Sequence, residues 1–242
     1  MSILFKDTKE RRMYINKVLA VHYPEFKTGS LYFGEYLKRF IKDQTVLDAG
    51  CGAGGLISEF KTLAKTLIGV DSDSEALSNN HIVDQKILGD LENLPQQENS
   101  IDIVSCEFVL EHLRSPERVF AEFARVLKPG GRLIFLTPNH YNPIMILSRI
   151  TPLTIHHLFR KYFLKRTEKP YKTYYAANSY NTIIKLGAEV GLVVGEIKRA
   201  GNPEYLCFSK LTVLPSVLLE KIINRSSLDF LKMYLVGYLV KS

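Results

Sequence analysis

Short apolar runs bounded by turn residues recur along the chain at 45–49, 66–70, 86–88, 101–106, 132–137, 192–197 and 233–240. Their length and composition predict strands. Between the fourth and fifth runs, Val119, Phe120, Phe123, Ala124 and Leu127 fall on one face at helical period, which predicts an amphipathic helix. Ser115 is placed as its N-cap and Pro116 as its first residue. Pro129-Gly130-Gly131 then turns the chain into the next strand. A second helix is predicted from Asn178, with Ile183, Ile184 and Gly187 on one face and Gly191 as its stop. Residues 9–22 and 30–41 predict two helices ahead of the first strand. Alternating strands and helices imply an α/β fold with a parallel sheet and crossover helices. Two stretches depart from the alternation: 139–175, which is aromatic, basic and proline-bearing, and 203–228, predicted helical.

The first strand runs into Asp48-Ala49-Gly50-Cys51-Gly52-Ala53-Gly54-Gly55, followed by a predicted apolar helix. Glycines here let the backbone turn tightly and approach a ligand with no Cβ in the way. Gly50-x-Gly52-x-x-Gly55 also matches the dinucleotide fingerprint, with Asp71 at the spacing of a ribose carboxylate. Three acids at successive strand ends favour another ligand. Asp48 precedes the glycines, where a carboxylate suits an ammonium group and repels a pyrophosphate. Asp71 ends the second strand, placed to accept from ribose hydroxyls. Asp90 follows the third, placed to accept from an adenine amino group. Together they suit a cationic sulfonium nucleoside.

VLDAGCGAGG, GVDSD, GDLENLP, IDIVSCEFVLEHL and RVLKPGGRLIFLTPN, in that order, resemble a class I S-adenosylmethionine (SAM)-dependent methyltransferase. The resemblance is to the small-molecule branch that includes quinone-biosynthesis methyltransferases, and it covers residues 44–139. It implies a Rossmann-like, seven-stranded, mostly parallel sheet with an antiparallel last strand and helices on both faces. It further implies cofactor contacts from Asp48, Gly50, Cys51, Gly52, Asp71, Ser72, Asp90 and Leu91, with Glu107 and Phe108 near the methionine end. Cys51 is read as packing, not as a nucleophile. The expected organisation is a single domain: an N-terminal helical cap (1–43), a SAM-binding core (44–138), a lid after the fifth strand (139–175) and the rest of the core (176–242) with its helical insertion. His112 and His140, at the ends of the fourth and fifth strands, are the candidate bases. Tyr171, Tyr174 and Tyr175 are candidate substrate contacts within a lid that also holds Phe159, Tyr162 and Phe163; Tyr32 is a candidate to close over the cofactor.

Charge refines the partner. Of the net +7, residues 141–175 carry +6 and residues 198–242 carry +4, leaving the remainder at −3. Such asymmetry suits an anionic acceptor, a nucleic acid or an anionic membrane surface. The acceptor is expected to be a small metabolite, a glycan or a lipid-linked compound. The fourth strand ends in Ser105-Cys106-Glu107-Phe108 and not in the Asn/Asp-Pro-Pro-aromatic motif of enzymes that methylate base amines, which disfavours that chemistry; an RNA substrate stays open through the basic surface. An NAD-dependent oxidoreductase and a non-catalytic nucleotide binder are the readings from other classes. Cys51, Cys106 and Cys207 have no metal-ligand spacing, His156-His157 lacks partners, and no metal is expected. Scattered cysteines lead to the expectation of reduced thiols in a cytoplasmic protein, with no signal-like start or membrane-spanning apolar run expected, and with peripheral contact to a membrane's inner face as an extension.

Overall fold

The structure, a computed structural model, describes residues 3–150, 171–225 and 227–242. His156-His157 and the lid aromatics Phe159, Tyr162 and Phe163 lie outside the described residues. Two compact units are formed, one from Gly29–Pro138, Lys172–Lys198 and Leu235–Ser242, the other from Met1–Thr28, Asn139–Tyr171 and Arg199–Tyr234.

The first, the sheet unit, is built on strands β1 (Thr45–Ala49), β2 (Thr66–Asp71), β3 (Gln85–Leu88), β4 (Ile101–Glu107), β5 (Leu127–Pro138) and all but the end residues of β6 (Leu192–Ala200) and β7 (Tyr234–Lys241). They form one seven-stranded sheet in the order β3-β2-β1-β4-β5-β7-β6, mostly parallel and antiparallel at its last strands. The chain reverses direction across the sheet between β1 and β4. Ligands of open α/β sheets bind beyond the strand ends at such a switch point. Val46, Leu47, Asp48 and Ala49 are all buried, as a central parallel strand covered on both faces requires. The core beneath the sheet joins Leu47, Val70, Val104, Phe120, Phe123, Phe135, Leu186 and Leu239.

The predicted helix after β4, Pro116–Val126, buries Val119, Phe120, Phe123 and Ala124. Ser115 is its N-cap residue by position, but its side chain makes no capping bond. Two expectations change in detail. Pro129-Gly130-Gly131 belongs to β5, whose pairing with β4 shifts between Ile101 and Ile103; the left-handed Gly130 absorbs the irregularity. After the glycine loop the expected apolar helix takes the 3₁₀ form, Leu56–Leu63. Ile57 and Phe60, three residues apart, share one side of a three-residue turn. Phe60 faces the helix Gly29–Phe40, where a Cβ on Gly34 would lie 3.4 Å from its ring.

The helical unit contains α1 (Thr8–His22), α5 (Pro143–Ile150) and α7 (Lys210–Arg225), counting α2 (Gly29–Phe40), α3 (Ser74–Ser78), α4 (Pro116–Val126) and α6 (Tyr180–Glu189) in the sheet unit. Its core is Ile15, Tyr23, Cys207, Val213 and Val217. Pro203–Leu206 forms a 3₁₀ turn, and α7 follows it.

Candidate active site

The glycine loop leaves β1 and is held from several sides. Gly50 N and Cys51 N donate to Val70 O on β2 at 2.8 and 3.2 Å. Gly50, Gly52 and Gly54 all have positive φ (68°, 47° and 117°), a region that costs an L-residue its Cβ clearance. At Gly50 a Cβ would also sit 2.5 Å from Val109 Cγ2, whereas beside Gly52 there is nothing within 4 Å. The loop thus packs tightly on one side and offers bare backbone on the other.

Asp48, 5% exposed, lies beneath this loop. Burial pushes its carboxyl up to about 7, and the negative charges of Glu107 and Asp71 push in the same direction. Ser105, opposite Asp48 in the β1–β4 register, favours the charged form from its hydroxyl, although that hydroxyl makes no hydrogen bond of full geometry. Among the described residues the charges acting on Asp48 are both negative, and a cationic group placed beside it would favour its carboxylate form. Asp71, at the end of β2, accepts from Gly52 N at 2.7 Å through one oxygen and from Asp73 N at 2.8 Å through the other. Each oxygen keeps a further lone pair for a ligand hydroxyl. Exposed Ser72 follows it. Asp90 is exposed beyond β3, with Oδ1 accepting from Glu92 N at 2.9 Å; Leu91 packs against the core.

Glu107 ends β4. Its Oε2 accepts from Leu56 N at 2.8 Å, so this carboxylate caps the 3₁₀ helix, and burial raises its pKa. A Cβ on Gly55 would lie 2.6 Å from that oxygen, which gives the third glycine a packing reason. Phe108 takes the left-handed conformation (φ 55°), a conformation that persists only where its surroundings impose it. Its N–H donates to Leu136 O at 2.8 Å. Cys51 is buried, and its thiol is pushed up to about 12 mainly by burial, in keeping with packing and not with nucleophilic chemistry.

His112 closes a 3₁₀ turn, Leu110–His112, after β4. Its Nδ1 lies 2.8 Å from Lys172 O. A carbonyl only accepts, so Nδ1 carries the proton and Nε2 is the basic nitrogen. The preceding Glu111 fixes the same segment: its carbonyl accepts from Tyr174 N at 2.8 Å and Tyr175 N at 3.1 Å. Tyr174 is exposed with Lys172 Nζ 4.9 Å from its ring centroid, and Tyr175 is half-buried at φ 54°. These tyrosines therefore stand beside His112 in the sheet unit. Tyr32, also in this unit, lies under Lys198 Nζ at 4.9 Å. His140 and Tyr171 belong to the helical unit; His140 is half-buried, edge-on to Tyr141, and Tyr171 is exposed.

Two features had no signal in the sequence. Asn80, fully buried, donates to Gly52 O at 3.0 Å and Cys51 O at 3.4 Å while accepting from Ile82 and Val83 N–H groups. Nothing about a polar Ser-Asn-Asn-His stretch marks one asparagine as the strut of a distant loop. Asn80→Ala is expected to lower the melting temperature by roughly 5–10 °C, from buried backbone groups left without partners; thermal unfolding followed by circular dichroism measures it. The second is a buried chain in which Asn178 Nδ2 donates to Pro138 O and Thr137 Oγ1, and Thr137 Oγ1 donates to Glu111 Oε2. Burial pushes Glu111 up to about 7. The chain ties the end of β5 to the turn that carries His112.

Residues 47–135 match the family model described as a methyltransferase domain. Over 109 residues the chain is 38% identical to a ubiquinone biosynthesis O-methyltransferase of Coxiella burnetii, covering 41% of this chain and 45% of that protein. Over 95 residues it is 33% identical to a malonyl-[acyl-carrier protein] O-methyltransferase of Yersinia pestis, covering 38% and 36%. The chain thus spans less than half the length of these curated relatives. Among solved structures it resembles a putative sarcosine dimethylglycine methyltransferase from Galdieria sulphuraria (TM-score 0.57, 17% identity, 88% of this chain and 85% of that one). It also resembles a geranyl diphosphate C-methyltransferase from Streptomyces coelicolor A3(2) (TM-score 0.56, 14% identity, 98% and 85%). At such identities these likenesses establish the fold alone.

Proposed function

We propose that this chain, with its methyltransferase domain over 47–135, transfers a methyl group from SAM to a small metabolite, glycan or lipid-linked acceptor. The observation that carries the reading is the buried Asp48, on which the charges acting among the described residues, Glu107 and Asp71, are negative, beneath a loop of left-handed glycines. A ligand that is cationic and approaches bare backbone answers both features. The donor set fits SAM in the same way: Asp48 for the ammonium, Asp71 for the ribose hydroxyls, Asp90 for the adenine amino group, with Gly50, Cys51, Gly52, Ser72, Leu91, Glu107 and Phe108 lining it. A dinucleotide would bring its pyrophosphate against Asp48, and an NAD-dependent reaction is set aside for that reason. The two relatives described above are named as O-methyltransferases, and none of the comparisons described above favours RNA as the acceptor.

When bound, SAM supplies an activated methyl on a sulfonium whose departure leaves a neutral thioether. The protein's work is then to align the acceptor with that methyl and to exclude water. Tyr174 and Tyr175 bear on acceptor position, because their backbone is fixed to Glu111. His112 serves as general base for an acceptor hydroxyl through Nε2, its tautomer set by the Lys172 carbonyl. His140 and Tyr171 are secondary candidates for the same roles. His112→Ala is expected to lower kcat by about 100- to 10,000-fold and to leave S-adenosylhomocysteine affinity unchanged. Transfer of radiolabelled methyl into fractionated extract, with isothermal titration on the same samples, separates the two effects. Equal activity of the variant sinks the general-base role without touching the methyltransferase assignment; label in the organic phase identifies a lipid-linked acceptor, and label in the ribonuclease-resistant aqueous phase a soluble one.

A further inference from the structure

α7 is apolar on two opposite sides. Val213, Ser216 and Val217 are buried, with Val213 and Val217 in the core that includes Ile15 and Tyr23. Leu211, Leu214, Leu218 and Ile222 follow at intervals of three and four residues, the rhythm of one helical face. They face outward: Leu211 is 69% exposed and Ile222 62%. A surface helix normally carries polar residues there.

The apolar surface continues past the helix. Leu228 and Phe230 are exposed. Asn139 Nδ2 donates to Phe230 O and Lys232 O at 2.6 and 2.7 Å, and Asn142 Nδ2 to Leu231 O at 2.8 Å. These bonds seat the start of α5 on that loop, and α5 presents exposed Ile146 and Leu147, with Tyr141 exposed just before it. All of these residues belong to the helical unit. Scattered exposed leucines need no explanation, but a run of this extent marks an interaction surface.

Charge identifies the occupant. By sequence, the described residues of the helical unit carry 12 Lys and Arg against 6 Asp and Glu, a net of +6. The sheet unit carries 15 against 18, a net of −3. The positive excess of the described residues is therefore confined to the unit that bears the leucine stripe. An apolar face on a cationic body is complementary to the surface of an anionic lipid bilayer: side chains enter the acyl boundary while the cations meet the headgroups. No described helix is long and apolar enough to cross a membrane, and the contact inferred is a peripheral one. We propose that the outer face of α7, with Leu228, Phe230 and the exposed residues of α5, docks this protein on an anionic membrane surface. The inference does not depend on methyl transfer.

The test is flotation of the full chain with vesicles of phosphatidylcholine alone or of phosphatidylcholine with phosphatidylglycerol. Binding is expected only where phosphatidylglycerol is present and is expected to weaken with added salt. Leu211→Ser/Leu218→Ser/Ile222→Ser is expected to weaken it on the order of 100-fold, with the circular dichroism spectrum and S-adenosylhomocysteine affinity unchanged. Should the triple variant fail to fold, Leu211→Glu alone, at the most exposed of these positions, is expected to weaken binding about tenfold. No binding to either vesicle, equal binding by the folded variants, or equal binding to uncharged vesicles overturns the proposal. So does self-association of the wild type in sedimentation equilibrium that the triple variant abolishes, since the stripe is then covered by a second copy. S-adenosylhomocysteine affinity in the same samples reports separately on the active-site reading.

Discussion

Asp71→Ala is expected to weaken S-adenosylhomocysteine binding by about 100- to 1,000-fold, the largest loss of any single substitution in the site. The carboxylate holds two things at once. It accepts from Gly52 N and Asp73 N at 2.7 and 2.8 Å, which fixes the glycine loop against the end of β2. Its remaining lone pairs are those proposed for the ribose. A hydrogen bond to a charged group contributes about 1.5–3 kcal/mol, and each 1.4 kcal/mol is tenfold in affinity, so two lost ribose bonds near the lower end of that contribution, about 3–4 kcal/mol together, account for the range. Isothermal titration measures it. Asp71→Asn retains an acceptor oxygen and should lose less. Asp90→Ala, at an exposed carboxylate already competing with water, should cost about tenfold or less. If Asp71→Ala binds like the wild type, the ribose assignment fails and with it the orientation of the whole ligand.

The second prediction is a pH profile. Asp48 ordinarily titrates at 3.8 but is pushed to about 7 by burial and by its negative neighbours. Between those values the folded, unliganded protein holds a proton that the unfolded chain has released, so this group's contribution to stability falls as pH rises from about 4 to about 7. A ligand ammonium reverses the preference by favouring the carboxylate. Affinity for SAM should therefore rise as pH increases through about 7, by up to about tenfold per unit below it. Binding there should release a proton, seen in titration calorimetry as a dependence on buffer ionisation enthalpy. 5′-Methylthioadenosine, which lacks the ammonium, should show a flat profile from this group. Asp48→Asn should flatten the profile for SAM as well. A steep profile surviving in Asp48→Asn assigns the titration to another group, with Glu107 and Glu111, both raised by burial, as the next to substitute.

The sequence by itself determined the order of elements and the place of the glycine loop. Strand identity was legible because a strand buried on both faces reads as an unbroken apolar run, as 133–136 does. The helix after β4 was legible because its buried residues repeat at helical period. The glycine loop and the acids at three strand ends were legible because chain reversal and ligand approach demand particular residue types at fixed local spacing. What tertiary structure alone decided depends on residues far apart in the chain. Leu56–Leu63 forms a 3₁₀ helix, its first N–H taken by Glu107 from 51 positions away. Asn80 braces a loop 28 residues earlier, and Glu111 meets Thr137 and Asn178 in a buried chain. The stripe on α7 was hidden for a related reason. A helix apolar on opposite sides reads simply as a hydrophobic helix, and only the packing of Val213 and Val217 against Ile15 and Tyr23 shows which leucines are left facing out. Local preferences are written in neighbouring residues; burial, protonation and exposure are set by what folding brings alongside.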